Sequence, residues 1–277
     1  MKRLFVGIVM GALFSVIASA SSIIPGWTCV GGAASCGTSG ANGVVGLSPL
    51  ATSVYSWVST NTGTTGVGVD PTSTTGNETN GATLATPLFS ANANDALNFY
   101  FDFVTSDGAG FADYGWAALM NADNTVAAML LTAQTEPTGN IIPAGGLTDN
   151  ILALLTPASV TINDPGYISS FAGNITYPAG LGPVWSPLDG FSGECFDTGC
   201  GYTGWVQSQY TIPTTGTYYL QVGVTNAFDN FYDTGLAMDG VTVAGRTIGG
   251  LTPEPGTLVL MGIGLGLTVL ARRRRQA

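Results

Sequence analysis

The side chains with the clearest chemical potential in this 277-residue chain are oxygen donors. Asp107 and Asp113 flank the loop Gly108-Ala109-Gly110-Phe111-Ala112, and Asn226, Asp229, Asp233 and Asp239 crowd a second stretch. Calcium takes about six to eight oxygen ligands from carboxylates, carboxamides and main-chain carbonyls. These six residues are therefore candidate calcium ligands, although neither group has the spacing of an EF-hand loop. Asp, Asn and Gly are also turn formers, so a purely structural reading stands beside the calcium one.

A second chemistry needs two facing carboxylates, about 5 to 9 Å apart, for glycoside hydrolysis. Glu78, Glu136, Glu194 and any Asp are candidates, but nothing in their spacing brings two of them together. A third needs exposed aromatic rings. Trp27, Trp57, Trp116, Trp185 and Trp205 could line a sugar platform, yet in a β domain such rings are more often core, Trp116 above all. Trp185 and Trp205 bracket the Cys195–Cys200 loop together with Phe191, Phe196 and Tyr202, and a sugar patch is expected there if anywhere. A calcium-stabilised carbohydrate-binding module is thus one function class, and a carboxylate glycosidase a more remote one.

Much other chemistry is absent. The chain has no His, and its one Lys is Lys2. Ser-His-Asp and Cys-His hydrolysis, His-ligated zinc, phosphate loops and Schiff-base catalysis all lack their residues. No catalytic residue is assigned, and the expectation is a protein that is not an enzyme. Charged residues make up only 9% of the chain, against a typical quarter or so. Between Ser21 and Thr252 a single basic residue, Arg246, faces 16 acidic ones, a formal balance of −15. Such a body repels phosphate, which excludes nucleic acid as a partner.

The four cysteines fall into two local pairs, Cys29 with Cys36 and Cys195 with Cys200. In an exported chain that spacing predicts two small disulfide loops; zinc is disfavoured because His is missing and neither pair is C-x-x-C. Export itself is written at the N-terminus. Lys2 and Arg3 precede the apolar run Leu4 to Ile17, and Ala18-Ser19-Ala20 offers a small-x-small cleavage site. Residues 1–20 read as a secretory signal peptide.

The other end carries Pro253-Glu254-Pro255-Gly256, an apolar stretch from Thr257 to Ala271, and four arginines, Arg272, Arg273, Arg274 and Arg275. About 15 residues rising about 1.5 Å each make a short membrane helix, and the arginines would hold its end in the cytoplasm. In this order and at a chain end, these features resemble the PEP-CTERM sorting signal, a tail also labelled an ice-binding protein C-terminal domain. The resemblance covers residues 252–277. It implies processing by an exosortase near the Pro-Glu-Pro, transient anchoring through the tail helix, and delivery to the surface or extracellular matrix of a bacterium. It also implies a structural or adhesive role linked to exopolysaccharide.

What must position the candidate residues is a set of short strands. Leu97, Phe99, Phe101 and Phe103 alternate with Asn98, Tyr100, Asp102 and Val104. Val206 to Ile212 and Tyr218 to Thr225 alternate likewise. Tyr114 to Met120, the turn cluster Asn121-Ala122-Asp123-Asn124 and Thr125 to Ala133 predict a hairpin. Leu236 to Val243 predicts a last strand. Asn61 to Ala85, dense in Thr, Gly and Asn, reads as a long loop or edge ribbon; Pro137 to Pro143 and Asp164 to Pro187 read as loops, and Thr148 to Leu155 as a short helix. The expected fold is all-β: a single β-sandwich or jelly roll over residues 21–246, a linker over 247–256, and the sorting helix with its Arg-rich end over 257–277. The final segment, Tyr218 to Val243, is similar to the endings of several carbohydrate-binding jelly rolls.

Overall fold

The computed structural model describes residues 23–73, 76–111, 113–135, 139, 141–144, 160–163 and 175–249. The signal peptide, the sorting tail and the expected helix at 148–155 lie outside them.

In chain order the strands are β1 (Thr28–Val30), β2 (Cys36–Ser39), β3 (Tyr55–Ser59), β4 (Thr64–Thr65), β5 (Glu78–Ala85), β6 (Phe89–Ala91), β7 (Ala96–Thr105), β8 (Tyr114–Asn121) and β9 (Val126–Thr135). They continue as β10 (Ile141–Ala144), β11 (Val160–Asn163), β12 (Ile175–Tyr177), β13 (Cys200–Tyr202), β14 (Val206–Thr211), β15 (Gly216–Ala227), β16 (Thr234–Val243) and β17 (Arg246–Thr247). Among the described residues the one helical element is a 3-10 segment, Ser186–Phe191.

Two antiparallel sheets result. One runs β1-β5-β15-β8-β9-β10, with β4 on β5 and β6 on β15; the other runs β11-β14-β7-β16-β3-β2, with β13, β12 and β17 attached. The period-2 pattern explains their packing. Leu97, Phe99, Phe101 and Phe103 from β7 face Val222, Val224, Ala117 and Leu119 of the other sheet in one core. The all-β sandwich expected from the alternation is what the chain builds.

The outer faces are covered too. Over the second sheet, Tyr55, Trp57, Trp185, Leu188 and Trp205 form a separate buried layer on Val104 and Ala237. Over the first, Tyr114, Trp116, Met120 and Met129 form another. This second burial keeps Asp102, on the outer face of β7, 1% exposed.

The hairpin of β8 and β9 forms as read, with Asn124 in the left-handed region (φ 68) closing its turn. Three loop assignments are corrected. Within 61–85, β5 pairs β15 on one side and β1 and β4 on the other. The Thr-rich composition hid Ala82 and Leu84, which reach the core. Ile141–Ala144 adds a strand beside β9, and Ile175–Tyr177 pairs with β13. The sheet also continues past β16: β17 pairs Arg246 with Val243, and the Ile248 N–H donates to the Val241 carbonyl. Trp27 Nε1 donates to the Gly249 carbonyl at 3.1 Å, tying the first described turn to the last.

Candidate functional site

The candidate residues meet where β7 ends, β8 begins, β15 ends and β16 begins. Thr105 and Thr234 are cross-strand partners there, with their hydroxyls 2.7 Å apart. Thr234 Oγ1 donates to Asp113 Oδ2 at 3.0 Å, and the Ala227 N–H donates to Asp113 Oδ1 at 2.8 Å. The Asp107 N–H donates to Thr105 Oγ1, and Asp107 Oδ1 accepts from the Gly108 N–H. Asp107 and Asp113 are each 1% exposed.

Burial sets the charge state. Desolvation, opposed by the Gly108 N–H and reinforced by Asp229 and Asp197, pushes the Asp107 carboxyl up to about 8. Asp113 is raised well above the carboxylate range by burial first and by the nearby Asp107 second. Neither has a cationic neighbour.

Asn226 completes the group. Thr225 pairs with Tyr114, so Asn226 comes beside Asp113. Val224, two residues earlier, faces the core between the sheets, and alternation turns Asn226 the same way. Asn226 is fully buried, and neither its Oδ1 nor its Nδ2 has a partner. Asp229 lies just beyond, half-buried, with Oδ1 accepting from the Phe231 N–H at 2.9 Å.

The other two sequence candidates separate from these. Asp233 turns to Thr60, whose hydroxyl donates to its Oδ1 at 2.9 Å; burial raises it to about 6, with Asp189 adding to the shift. Asp239 lies along β16 and accepts from the Ser48 and Thr52 hydroxyls. Asp197 was missed. It sits in the Cys195–Cys200 loop, and Gly108 packs so closely on it that a Cβ there would lie 2.7 Å from the Asp197 carbonyl. Among the described residues no three His, Cys, Asp or Glu groups close into a metal cage. A cation held here therefore needs the Asn226 amide and main-chain oxygens beside the carboxylates.

Both cysteine pairs are disulfide-bonded. The Cys195–Cys200 loop lies on the loop after β7: the Phe196 N–H donates to the Ser106 carbonyl and the Ala109 N–H to the Thr198 carbonyl. This contact builds a run of rings over the acidic group. Phe228 meets Phe111 (6.3 Å between centroids), Phe111 meets Phe196 (5.2 Å), Phe196 meets Tyr232 (5.2 Å) and Tyr232 meets Phe191 (4.8 Å). Phe196, Phe228 and Phe231 are 44%, 49% and 64% exposed.

The tryptophans expected in a sugar patch are elsewhere. Trp185 and Trp205 are buried, as are Trp27, Trp57 and Trp116. Trp185 Nε1 donates to the Tyr55 hydroxyl and Trp205 Nε1 to the Gly46 carbonyl. Phe191 and Phe196 do face the expected region. Phe111, Phe228, Phe231 and Tyr232 were not foreseen, although large rings inside a Gly- or Asp/Asn-rich turn with no alternating strand are a usable surface signal. Of the glycosidase candidates, Glu78 accepts from the Tyr114 hydroxyl at 3.0 Å and from Ser73, Glu194 is exposed, and Glu136 lies outside the described residues.

Residues 251–275 match the model of the PEP-CTERM protein-sorting motif. The chain carries a PEP-CTERM sorting signal. The motif implies export to the cell surface or extracellular space and processing by an exosortase. Among the described residues no helix is long and apolar enough to cross a membrane; the apolar segment 257–271 lies outside them.

A comparison with curated proteins finds no match. Among solved structures, the chain is similar to the K1 cleaved adhesin domain of Lys-gingipain from Porphyromonas gingivalis W83, at 12% identity and TM-score 0.32, covering 79% of this chain and 92% of that one. It is likewise similar to the K3 cleaved adhesin domain of the same protein, at 14% identity and TM-score 0.30, covering 78% and 92%. The fold assignment of this chain rests on its own two sheets.

Proposed function

We propose that the exported sandwich is a non-catalytic adhesive module that works in an extracellular polysaccharide matrix and engages it through the ring run Phe228–Phe111–Phe196–Tyr232–Phe191. One observation carries this reading: Phe196 and Phe228, both exposed, pack edge-on against the half-buried Phe111 in a chain whose five tryptophans are all buried. Contiguous exposed apolar surface on a soluble domain marks an interaction site. Aromatic faces pack on the C–H faces of pyranose rings, and Asp197, Glu194 and Asp229 add acceptors for sugar hydroxyls. Delivery by the sorting signal places such a surface where matrix polysaccharide is, and the tail is removed or holds the chain to the membrane until then.

The test is electrophoresis of the purified secreted protein through native gels containing matrix polysaccharide from the producing cells, or neutral cellulose derivatives, or cationic chitosan. Retardation by matrix or neutral polysaccharide that is lost in a Phe196→Ala/Phe228→Ala double variant supports ring stacking. Retardation by chitosan alone, unchanged in the variant, reduces the interaction to net charge and removes the proposal.

A further inference from the structure

We propose that Asp107, Asp113 and Asn226 bind one calcium ion beneath the aromatic run, with main-chain oxygens and water filling the remaining positions and Asp229 adding negative charge nearby without being a ligand. Four observations converge on it. Asn226 is fully buried with both polar side-chain atoms unpartnered, an arrangement folded proteins otherwise avoid. The register sets that amide beside Asp113, on the face that looks between the sheets. Two buried carboxylates, Asp107 and Asp113, come from the ends of strands in the two sheets, and Asp107 is near enough to raise the proton affinity of Asp113.

The fourth observation is the lack of any protein counter-charge. Arg246 is the one basic side chain between Ser21 and Thr252, and it pairs with Val243 at the opposite end of β16. No Lys, Arg or His of the folded unit can neutralise the group. A buried carboxylate pair without a cation must hold protons or a metal.

The donor set selects the metal. It is all oxygen, from carboxylates and a carboxamide, with neither imidazole nor free thiol; this suits a hard ion and disfavours zinc or copper. Two carboxylates from separate strand ends and one carboxamide make an irregular donor set, which calcium accepts more readily than magnesium. The site does not depend on what the rings above it bind.

The experiment uses the full secreted protein, stripped with chelator at pH 7.5, followed by terbium luminescence, calcium titration calorimetry and thermal unfolding. Wild type is expected to bind one calcium or terbium per chain and to unfold at higher temperature with calcium than with equal magnesium or with EDTA. Asp107→Asn is expected to weaken calcium at least about tenfold, and Asp239→Asn, on the distant Ser48–Thr52 patch, to leave it unchanged. If Asp113→Asn or Asn226→Ala does not fold, the half-exposed Asp229→Asn serves, with a smaller loss expected. A folded wild type that binds no calcium and unfolds alike in calcium and EDTA overturns the site, as does calcium binding that Asp239→Asn abolishes and Asp107→Asn spares.

Discussion

The indole of Trp116 occupies the space a side chain at Gly223 would need. The two residues are cross-strand partners on β8 and β15, and a Cβ at Gly223 would lie 2.4 Å from Trp116 Cε2. Trp116 Nε1 also donates to the Gly68 carbonyl at 2.6 Å, so the ring is held from both sides and has no room to retreat. Gly223→Ala is expected to destabilise the protein by about 2 to 4 kcal/mol through overpacking. Urea unfolding followed by tryptophan fluorescence measures it, and a midpoint equal to wild type would show that the ring moves freely.

Asp102 predicts an alkaline weakness. Burial raises its carboxyl to about 8 against the lesser opposing bonds from Thr203 and the Gly204 N–H, and its Oδ2 has no partner. The groups facing it are neutral: Tyr55 and Tyr202, whose own values are raised. The folded state thus holds a proton that the unfolded chain gives up near its ordinary carboxylate value of 3.8. Between those values the unfolded state binds fewer protons, so stability falls as pH rises from about 4 to about 8, by about 1.4 kcal/mol per unit for one full proton. Asp102→Asn should flatten that slope by about one proton; an unchanged slope in chelator would assign it to other groups.

The Cys195–Cys200 bridge holds Phe196 on the loop that carries Phe111. Closing so short a loop is worth about 2 kcal/mol by chain entropy. Cys195→Ser/Cys200→Ser is therefore expected to lower stability modestly, leave far-ultraviolet circular dichroism unchanged, and weaken polysaccharide retardation. Cys29→Ser/Cys36→Ser, which touches β1 and β2, should cost similar stability and spare retardation.

Phe228 pairs exposure with strain: it is non-glycine at φ 72. Phe228→Gly relieves the left-handed penalty of about 1 kcal/mol while deleting a ring. The expected outcome is a protein no less stable in urea yet poorer in polysaccharide binding. Loss of both together would make the ring a packing element instead.

Intact-mass spectrometry of the secreted form should find termini near Ser21 and Pro253. A full-length species in the membrane fraction, with nothing released, would count against processing at both ends.

The strands of the inner core were legible because their signal is local. In Leu97, Phe99, Phe101 and Phe103 each second residue announces its face, and all four are buried there. Asp102 and Val104 read as outward and are outward, yet they too are buried, because residues 42–48 and 184–192 fold over them. That cover comes from more than fifty residues away in either direction, and periodicity carries no trace of it. For the same reason the sequence leaves Trp185 and Trp205 open between core and a surface patch, and the structure buries both.

The acidic group divides along a similar line. Asp107, Asp113, Asn226 and Asp229 converge because four strand ends coincide, which is a matter of sheet order; Asp239 shares their composition but sits five residues up β16 from Thr234. Asp197 escaped notice since it is distant in sequence from every other member. In β5, Thr and Gly mimicked a loop, although Thr is a good strand former.

The Trp27–Gly249 clasp has a consequence for attitude. Chain entry and chain exit are fastened together at the far end of β16, and its ten residues set that clasp roughly 30 Å from the exposed rings at about 3.3 Å per residue. In a chain held to a bilayer by its tail, Phe228 and Phe196 would thus lie at the end of the domain opposite the point of attachment, free to meet whatever surrounds the cell.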